Sequence, residues 1–422
     1  MSQPQVNPLT ARRAMVAASA GNIVEWYDWS VYATFAFYFS RQFFPGGTAS
    51  TALISTFAVF AVGFIARPLG SVTLGRITDR AGRKTSLAIS VTIVAMASVL
   101  IGVAPTAATI GTWAAVWLVA MRLAQGIALG AETSAAVSFM TESAPHGRRG
   151  VLVSLYSATV SLGTLLGAFF ALILTSVLTE DQMRNFGWRI PFLLGGVLGL
   201  IALLVRRQAV ETLQAEHAGI AHPVRTLWTQ HRRLAIETVV LGAAVALPFF
   251  VTVTGFPAIV ELLGANTSEA FGANILGLVV YGVLTMVFGA LSDRIGRRPV
   301  LLTGSMASLA LCIPGVALLW DPTDSWRVYL AQLLVVVPLS AMSATVSVSL
   351  MERYPPALRG SAYGLFWALS MAIFGGTGPM IATWLAQRSI TFTMTPYFMI
   401  GFAGASVVAL RMKETAFDPL RQ

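Results

Sequence analysis

The chain has 422 residues, of which 56% are hydrophobic and only 11% are charged. So few charges cannot cover a water-exposed surface, so the composition excludes a soluble globular protein and indicates an integral membrane protein. The net charge of +10 would suit a nucleic-acid partner, but the placement of the basic residues, described below, argues against one.

Apolar stretches long enough to cross a bilayer recur twelve times along the chain. They are predicted at about 14–40, 52–74, 85–105, 111–138, 150–177, 189–206, 233–260, 270–291, 299–320, 326–350, 360–386 and 393–411, and are numbered here as spans 1 to 12. The first is too long for a signal peptide and carries acids, so we read it as an uncleaved span. The sequence therefore predicts an all-α membrane protein with twelve transmembrane helices.

Span 1 contains the stretch NIVEWYDWSVY (22–32), which places two carboxylates, Glu25 and Asp28, inside an apolar segment. A carboxylate at the bilayer centre costs on the order of 2.5–3.5 kcal/mol, so two are expected to have a use. On a helix both share a face with Tyr32. The four histidines fall outside the spans, so a proton path would have to use acids. Asp28, with Glu25 as the alternative, is the predicted proton-linked group.

Two sequence motifs occur once in each half of the chain. GRITDRAGRKTS (75–86) follows span 2 and GALSDRIGRRPV (289–300) follows span 8, an offset of 214 positions. ESAPHGRRG (142–150) and ERYPPALRG (352–360) are offset by 210. Nearly equal offsets predict two pseudo-symmetric six-helix halves, 1–206 and 233–422, joined by a cytoplasmic linker, 207–232. Such repeats are typical of transporters in which one half rocks against the other around a central site.

The charged residues of the first repeat are predicted to hold neighbouring helices together as a cytoplasmic gate. The candidates are Asp79, Arg83, Lys84, Asp293, Arg297 and Arg298. Gly82 and Gly296 would permit tight turns between the helices. The alternative is that the basic residues only fix membrane topology, which does not explain the repeated aspartate and glycine.

Span 4 supplies a counter-charge, Arg122, predicted to lie half way across the membrane. It could hold a substrate carboxylate by a bidentate contact, or pair with Glu25 or Asp28 while the site is empty. The alternative is a fixed ion pair that only locks span 1 to span 4. The residues predicted to contact substrate are Arg122, Gln125, Tyr32 and Asn22.

Other polar or small residues within the spans leave alternatives open. Arg67 in span 2 could be functional or could extend to the lipid headgroups, and Glu132 could pair with Arg67 or join the gate. Serine stripes on spans 5 and 10 are expected mainly to pack helices together. Gly163 and Gly167 are expected to let two helices approach closely.

The basic residues also predict how the chain is oriented. If the N-terminus is cytoplasmic, the termini and loops on that side hold 21 of the 28 lysines and arginines, the opposite loops hold five, and two lie within spans. This is the positive-inside pattern, which places both termini in the cytoplasm.

Several motifs resemble those of known transporters. GRITDRAGRK and LSDRIGRR resemble the signature loop of the major facilitator superfamily, and MRLAQGIALGAE (121–132) its fourth-span arginine motif. GNIVEWYDWSVY, FIARPLG (64–70) and FGWRIPFLLG (186–195) resemble the metabolite:proton symporter group, and the resemblance covers almost the whole chain. It implies a proton symporter of a small organic anion, such as 2-oxoglutarate, another dicarboxylate, citrate or an aromatic acid.

The resemblance leaves one rival substrate class, a zwitterionic osmolyte such as proline or betaine. Osmosensing permeases of the group tend to carry a long charged C-terminal coiled coil, whereas about eleven residues follow span 12 here, which favours the carboxylate. A membrane enzyme or a sensor is not expected, since no nucleophile with a base and no signalling domain is evident. The single cysteine, Cys312, excludes a disulfide or cysteine metal cluster, and no cofactor is expected. The expected partners are the anion, protons and the lipid bilayer, with a monomer in a bacterial inner membrane.

Overall fold

The computed structural model of the chain describes residues 8–81, 83–130, 132–145, 147–207, 223–359, 361–388 and 393–420. The described residues are predominantly helical and contain no β-strand. Every predicted span falls on helix, so the all-α fold class is confirmed.

The helices of the first half begin and end close to the predicted spans. Spans 1 to 3 are the helices Pro8–Phe43, Ala49–Ala81 and Arg83–Gly102. Span 4 is formed by Trp113–Leu129 and Glu132–Ser143, span 5 by Arg149–Val177, and span 6 by Arg189–Arg207 with the preceding turns Glu180–Gln182 and Met183–Gly187. A short helix, Ala107–Ile110, precedes span 4.

The second half begins after the short helix Pro223–Gln230. Span 7 consists of Arg232–Phe249, a π-helical turn Phe250–Thr254 and Phe256–Leu262. Spans 8, 9 and 10 are Thr267–Ile295, Arg297–Leu318 and Ser325–Arg353. The short helix Pro356–Arg359 leads to span 11, formed by Ser361–Ser370, a π-helical turn Met371–Gly376 and Gly378–Ala386, and span 12 is Met394–Arg411.

Length and hydropathy support a multi-pass membrane protein. Within the described residues, eight helices are long and apolar enough to cross a membrane, and the bent pair at span 6 makes a ninth. Ala88–Gly102 and Trp113–Leu129 are shorter apolar helices, and span 1 carries polar residues that lower its hydropathy. Large apolar side chains such as Ile65, Val283 and Ile400 are exposed on the outer surface, where lipid would cover them.

The contacts between the halves follow the sequence repeat. Span 5 packs along span 8, and span 2 packs along span 11. In the sequence repeat, span 5 corresponds to span 11 and span 2 corresponds to span 8. The two contacts are therefore equivalent under the pseudo-symmetry of the halves. The closest approaches use glycine: a Cβ atom added to Gly289 would lie 2.9 Å from the carbonyl oxygen of Gly150 across the span 5–span 8 contact.

Span 1 lies at the centre of the first half, and most of its side chains are buried. It packs on span 5 at two glycines, because a Cβ atom at Gly163 would lie 2.4 Å from the Ile23 carbonyl oxygen and one at Gly167 would lie 2.6 Å from the Ser30 hydroxyl. The predicted close approach at Gly163 and Gly167 is therefore confirmed.

The segments 75–86 and 289–300, read from the sequence as loops, are mostly helical. Span 8 continues to Ile295 and span 9 begins at Arg297, so only Gly296 separates them. Gly296 has a φ of +106°, which an L side chain rarely adopts, and this confirms the predicted tight turn. Gly82 lies outside the described residues.

Candidate functional site

Asp28 and Arg122 form a buried ion pair between span 1 and span 4. Arg122 Nη1 lies 3.2 Å from Asp28 Oδ2. Gln125 bridges the pair, since its Nε2 donates to Asp28 Oδ2 at 2.8 Å and its Oε1 accepts from Arg122 Nη1 at 2.9 Å. Arg122 and Gln125 are fully buried and Asp28 is 1% exposed. Of the two acids predicted as partners for Arg122, the structure brings Asp28 to it.

Aromatic rings enclose the guanidinium of Arg122. Its Cζ lies 3.7 Å from the centroid of the Tyr32 ring and 5.0 Å from that of Trp29. The Tyr32 hydroxyl donates to the Thr56 carbonyl at 3.0 Å, which fixes the ring beneath the cation. Rings so placed stabilise a cation through their π faces, by about 0.5–2 kcal/mol each.

Glu25 belongs to a second ion pair, with Arg67 of span 2. Arg67 Nη2 lies 3.2 Å from Glu25 Oε1, and its Cζ lies 4.8 Å from the Trp29 centroid and 4.4 Å from that of Phe64. Because Arg67 is only 4% exposed, the expectation that it could extend to the lipid headgroups is wrong. Trp29 therefore contacts both guanidiniums and lies between the two ion pairs.

A cavity opens between the two halves beside these ion pairs. It encloses about 630 Å³ of empty space, its opening included, and Arg67 is on its wall. Six aromatic residues also line it: Trp26, Tyr156, Phe249, Phe250, Tyr281 and Trp367. Four hydroxyl residues complete its polar lining: Thr133, Ser157, Ser343 and Ser347.

The four residues predicted to contact substrate do not line this cavity. Arg122, Gln125 and Tyr32 are fully buried behind Trp29. Asn22 is 3% exposed and donates to the Tyr156 carbonyl at 3.1 Å and the Thr159 hydroxyl at 2.7 Å, so it joins span 1 to span 5. In this conformation Arg67, and not Arg122, lines the cavity.

The serine stripes divide into two classes that sequence reasoning did not separate. Ser154 and Ser161 donate to the carbonyls of Ala344 and Leu278 across the contact between the halves, as packing residues should. Ser157, Ser343 and Ser347 instead line the cavity. The aromatic residues of spans 7 and 11 were missed altogether, because aromatic side chains in a span carry no periodic signal that distinguishes a cavity wall from packing.

The repeat-loop end of the bundle, where spans 8 and 9 meet, carries charges that join the halves. Asp293 accepts hydrogen bonds from the backbone N–H groups of Gly150 at 2.8 Å and Val151 at 2.9 Å. These residues are at the start of span 5, so a carboxylate of the second half caps a helix of the first. The carboxylate is also favoured by the positive end of that helix dipole.

Around this cap lies a network of buried ion pairs. Arg297 lies 2.8 Å from Asp293 and 3.1 Å from Glu352, and Arg149 of the first half lies 3.6 Å from Glu352. Across the pseudo-symmetry, Arg359 Nη1 of the second half lies 3.3 Å from Glu142 Oε1 of the first. Two arginine–glutamate pairs related by the repeat therefore cross between the halves.

Of the remaining gate candidates, Arg298 is the one whose side chain the structure describes. Arg298 donates from its side chain to the Leu410 carbonyl at 3.0 Å, within the second half. The side chains of Asp79, Arg83, Lys84 and Glu132 lie outside the described part of the chain.

The segment after span 12 also contacts this network. Glu414 accepts from the backbone N–H groups of Arg297, Arg298, Thr415 and Ala416. Burial alone would raise the pKa of Glu414, but these four donors outweigh it and hold the pKa below its ordinary value. The Thr415 hydroxyl donates to Glu352 Oε2 at 2.6 Å. The segment thus also stabilises Glu352, which pairs with Arg297 and Arg149.

Among the described residues no group of three or more histidine, cysteine, aspartate or glutamate side chains could hold a metal ion. What the arrangement provides is two buried acid–arginine pairs beside a cavity, together with charged contacts between the halves at one end.

Comparison with known proteins supplies the family. The model of the Major Facilitator Superfamily matches residues 18–366 and 268–421. The α-ketoglutarate permease of Escherichia coli is 36% identical over 387 residues, covering 90% of this chain and 89% of that protein. The proline/betaine transporter of Salmonella typhimurium is 32% identical over 427 residues, covering 97% and 85%.

Solved structures agree at the level of the fold. The proton:xylose symporter bound to 6-bromo-6-deoxy-D-glucose aligns with a TM-score of 0.78 and 20% identity, covering 98% of each chain. The xylose transporter of E. coli in a partially occluded inward-open conformation also aligns with a TM-score of 0.78, at 18% identity. The family model and the sequence relatives place the chain with membrane transporters and not with enzymes. The chain belongs to the major facilitator superfamily.

Proposed function

We propose that this chain is a proton-coupled symporter that imports a small metabolite bearing a carboxylate. Two six-helix halves, 1–206 and 233–422, rock about the central cavity as units joined by 207–232. The protein works as a monomer in a bacterial inner membrane with both termini in the cytoplasm.

The observation that carries the proton-coupling proposal is the buried Asp28–Arg122 pair. Removing two charges from water costs several kcal/mol per ion, and the attraction between them offsets this only while they stay together. Protonation of Asp28 removes one charge, weakens the pair and leaves a neutral acid that crosses a closed, low-dielectric state more cheaply. Return of the proton to the side with lower proton activity would then reset the pair.

The driving force suits accumulation of an anion with protons. Each net positive charge that moves inward gains about 2.3 kcal/mol per 100 mV of membrane potential. In a coupled cycle the site changes sides only when proton and substrate are both bound or both absent. An acid–arginine pair next to the cavity that can break and re-form supports such a cycle.

Two substrate classes are supported by the relatives. The relative named for α-ketoglutarate supports an organic acid, and those named for proline and betaine support a zwitterion. Both classes carry a carboxylate, and an arginine on the cavity wall favours that group in either.

The experiment is uptake by proteoliposomes of labelled 2-oxoglutarate, citrate, an aromatic acid, proline and glycine betaine, with and without an imposed inward proton gradient. We expect at least one carboxylate to accumulate above its external concentration only with the gradient, and a protonophore to abolish this. Equal uptake with and without the gradient would refute proton coupling.

A further inference from the structure

The wall of the cavity carries very little charge. Among the described residues that line it, Arg67 is the one ionisable group other than tyrosine. A smaller hollow of about 280 Å³ adjoins the cavity on the side towards Ser134 and Gly364, and Arg67 lines both. Arg67 therefore lies where the hollow and the cavity meet.

Arg67 is placed so that it can exchange one carboxylate for another. Arg67 Nη2 donates to Glu25 Oε1 at 3.2 Å. Glu25 is 2% exposed and does not line the cavity, so it approaches the guanidinium from the side away from the cavity. A carboxylate that arrives from the cavity can therefore compete with Glu25 for the same cation.

The aromatic part of the cavity lining suits a body without negative charge. Trp26 stacks on Phe250 with centroids 5.7 Å apart, and Phe249 meets the edge of Trp26 at the same distance. Aromatic faces attract cations and pack against apolar groups, and they repel anions. The indole N–H of Trp26 has no hydrogen-bond partner among the described residues, so it can donate to a bound polar group.

We propose that Arg67 anchors one carboxylate of the substrate in exchange for Glu25, and that the site accepts molecules with a single carboxylate and no second anionic group. The inference rests on the proposed function and narrows its substrate class. Among the described residues that line the cavity, a second carboxylate would meet aromatic rings and hydroxyl groups and no second cation. Burying an unpaired carboxylate is costly. A monocarboxylate with an apolar body and a zwitterion with a cationic body both satisfy the site.

Trp29 links the proposed exchange at Arg67 to the buried Asp28–Arg122 pair. Arg67 and Arg122 approach the same ring, at 4.8 and 5.0 Å. When a substrate carboxylate draws Arg67 towards the cavity, Trp29 loses one of its two cation contacts. The Trp29 ring is thereby free to shift against Arg122, which relates substrate binding to the Asp28–Arg122 pair.

The test is equilibrium binding in detergent at one pH with no gradient, so that it is independent of proton coupling. The probes are labelled benzoate, proline, glycine betaine, succinate and 2-oxoglutarate. We expect the tightest ligand to carry one carboxylate. If succinate or 2-oxoglutarate binds most tightly, the single-anion site is refuted.

Three variants then test the exchange with the tightest probe. Arg67→Gln should weaken binding by about 10- to 100-fold, the loss expected for a charge-assisted contact. Glu25→Gln should tighten binding, because the competing carboxylate is gone while Arg67 remains; a purely structural role for Glu25 predicts unchanged or weaker binding. The control Arg327→Gln removes an arginine in the Asp321–Asp324 region, away from the cavity, and should bind like the parent.

The outcomes separate this inference from the proposed function. Asp28→Asn should still bind the probe, and Arg67→Gln should weaken binding in that background as it does in the parent, even if gradient-driven uptake is lost. Normal binding by Arg67→Gln, together with unchanged binding by Glu25→Gln, would overturn the anchor and leave proton coupling standing. Loss of gradient dependence with the expected Arg67 and Glu25 results would overturn coupling and leave the anchor standing.

Discussion

At the scale of single residues, the unusual feature is a charge pair that is buried but incompletely hydrogen-bonded. Arg122 Nε and Nη2 and Asp28 Oδ1 have no hydrogen-bond partner among the described residues. A buried network that is only partly satisfied is costly, because the low dielectric that strengthens its bonds also raises the cost of each missing one.

The first prediction concerns Asp28. Asp28→Asn keeps the size and a hydrogen-bond acceptor for Gln125 but cannot take up and release a proton, so it should lose accumulation driven by a pH gradient and retain counterflow exchange. Arg122→Ala should lose both activities, because Asp28 would be left buried without its counter-charge. Uptake and counterflow in proteoliposomes measure the two separately.

Asp321→Asn is the matched control, since Asp321 is exposed in the loop between spans 9 and 10, and it should behave like the parent. If Asp28→Asn and Glu25→Gln each still accumulate substrate in response to a proton gradient, neither acid carries the proton.

At the scale of helices, the contact between spans 5 and 8 combines close packing with a charge that can be released. Gly150 is both the residue on which span 8 packs and one of the two N–H donors to Asp293. Parting the halves at this end therefore breaks the cap and the Arg149–Glu352 pair together. We therefore expect the contact between spans 5 and 8 to open and close as a unit.

The second prediction tests this cap. Asp293→Asn keeps one acceptor oxygen but loses the charge that favours the start of span 5 and the pair with Arg297, so the repeat-loop end should open more readily. We expect slower net transport and faster labelling of a cysteine introduced at Ser157, on the cavity wall, by a reagent added at that end. By the sequence repeat, Asp79→Asn should have the same effect.

Asp324→Asn is the control for a helix-terminal aspartate. Asp324 precedes span 10, but its side chain caps no backbone N–H group. Unchanged transport and labelling in Asp293→Asn would remove the gate role.

Much of the helix arrangement could be predicted from sequence. Hydropathy indicated the spans, the repeat indicated two related halves, and Gly163 and Gly167 indicated a close approach of another helix to span 5, which the structure identifies as span 1. The site could be predicted only in part. Helical periodicity put Glu25 and Asp28 on one face of span 1 and Arg122 on a face of span 4 with Gln125, but it could not decide which arginine meets the cavity. Which arginine meets the cavity depends on the position of the Trp29 side chain. Packing between three helices sets that position, and the spacing of residues along a single helix does not predict it.

At the scale of the whole molecule, two kinds of contact close the halves against each other. One is the set of charged contacts at the repeat-loop end, and the other is formed by the rings of Phe64 and Phe250, 4.9 Å apart, which join span 2 to span 7. If the halves rock as proposed, these two closures open in turn. The charged closure can respond to electrostatics, whereas the aromatic one is stabilised by burial of apolar surface.

The last prediction tests whether the halves must part at the repeat-loop end. Glu142→Cys and Arg359→Cys, combined in a Cys312→Ser background, place thiols on the two halves at a contact where the native atoms are 3.3 Å apart. A short, thiol-cleavable bifunctional reagent should join them and stop transport, because the end towards the predicted cytoplasm can no longer open. Reduction of the linker should restore the rate measured before cross-linking. Each single-cysteine variant treated with the same reagent should keep its rate, which separates tethering from chemical modification. Transport that continues at full rate while the halves are joined would mean that they need not separate there, and a rocking mechanism about the central cavity would not hold.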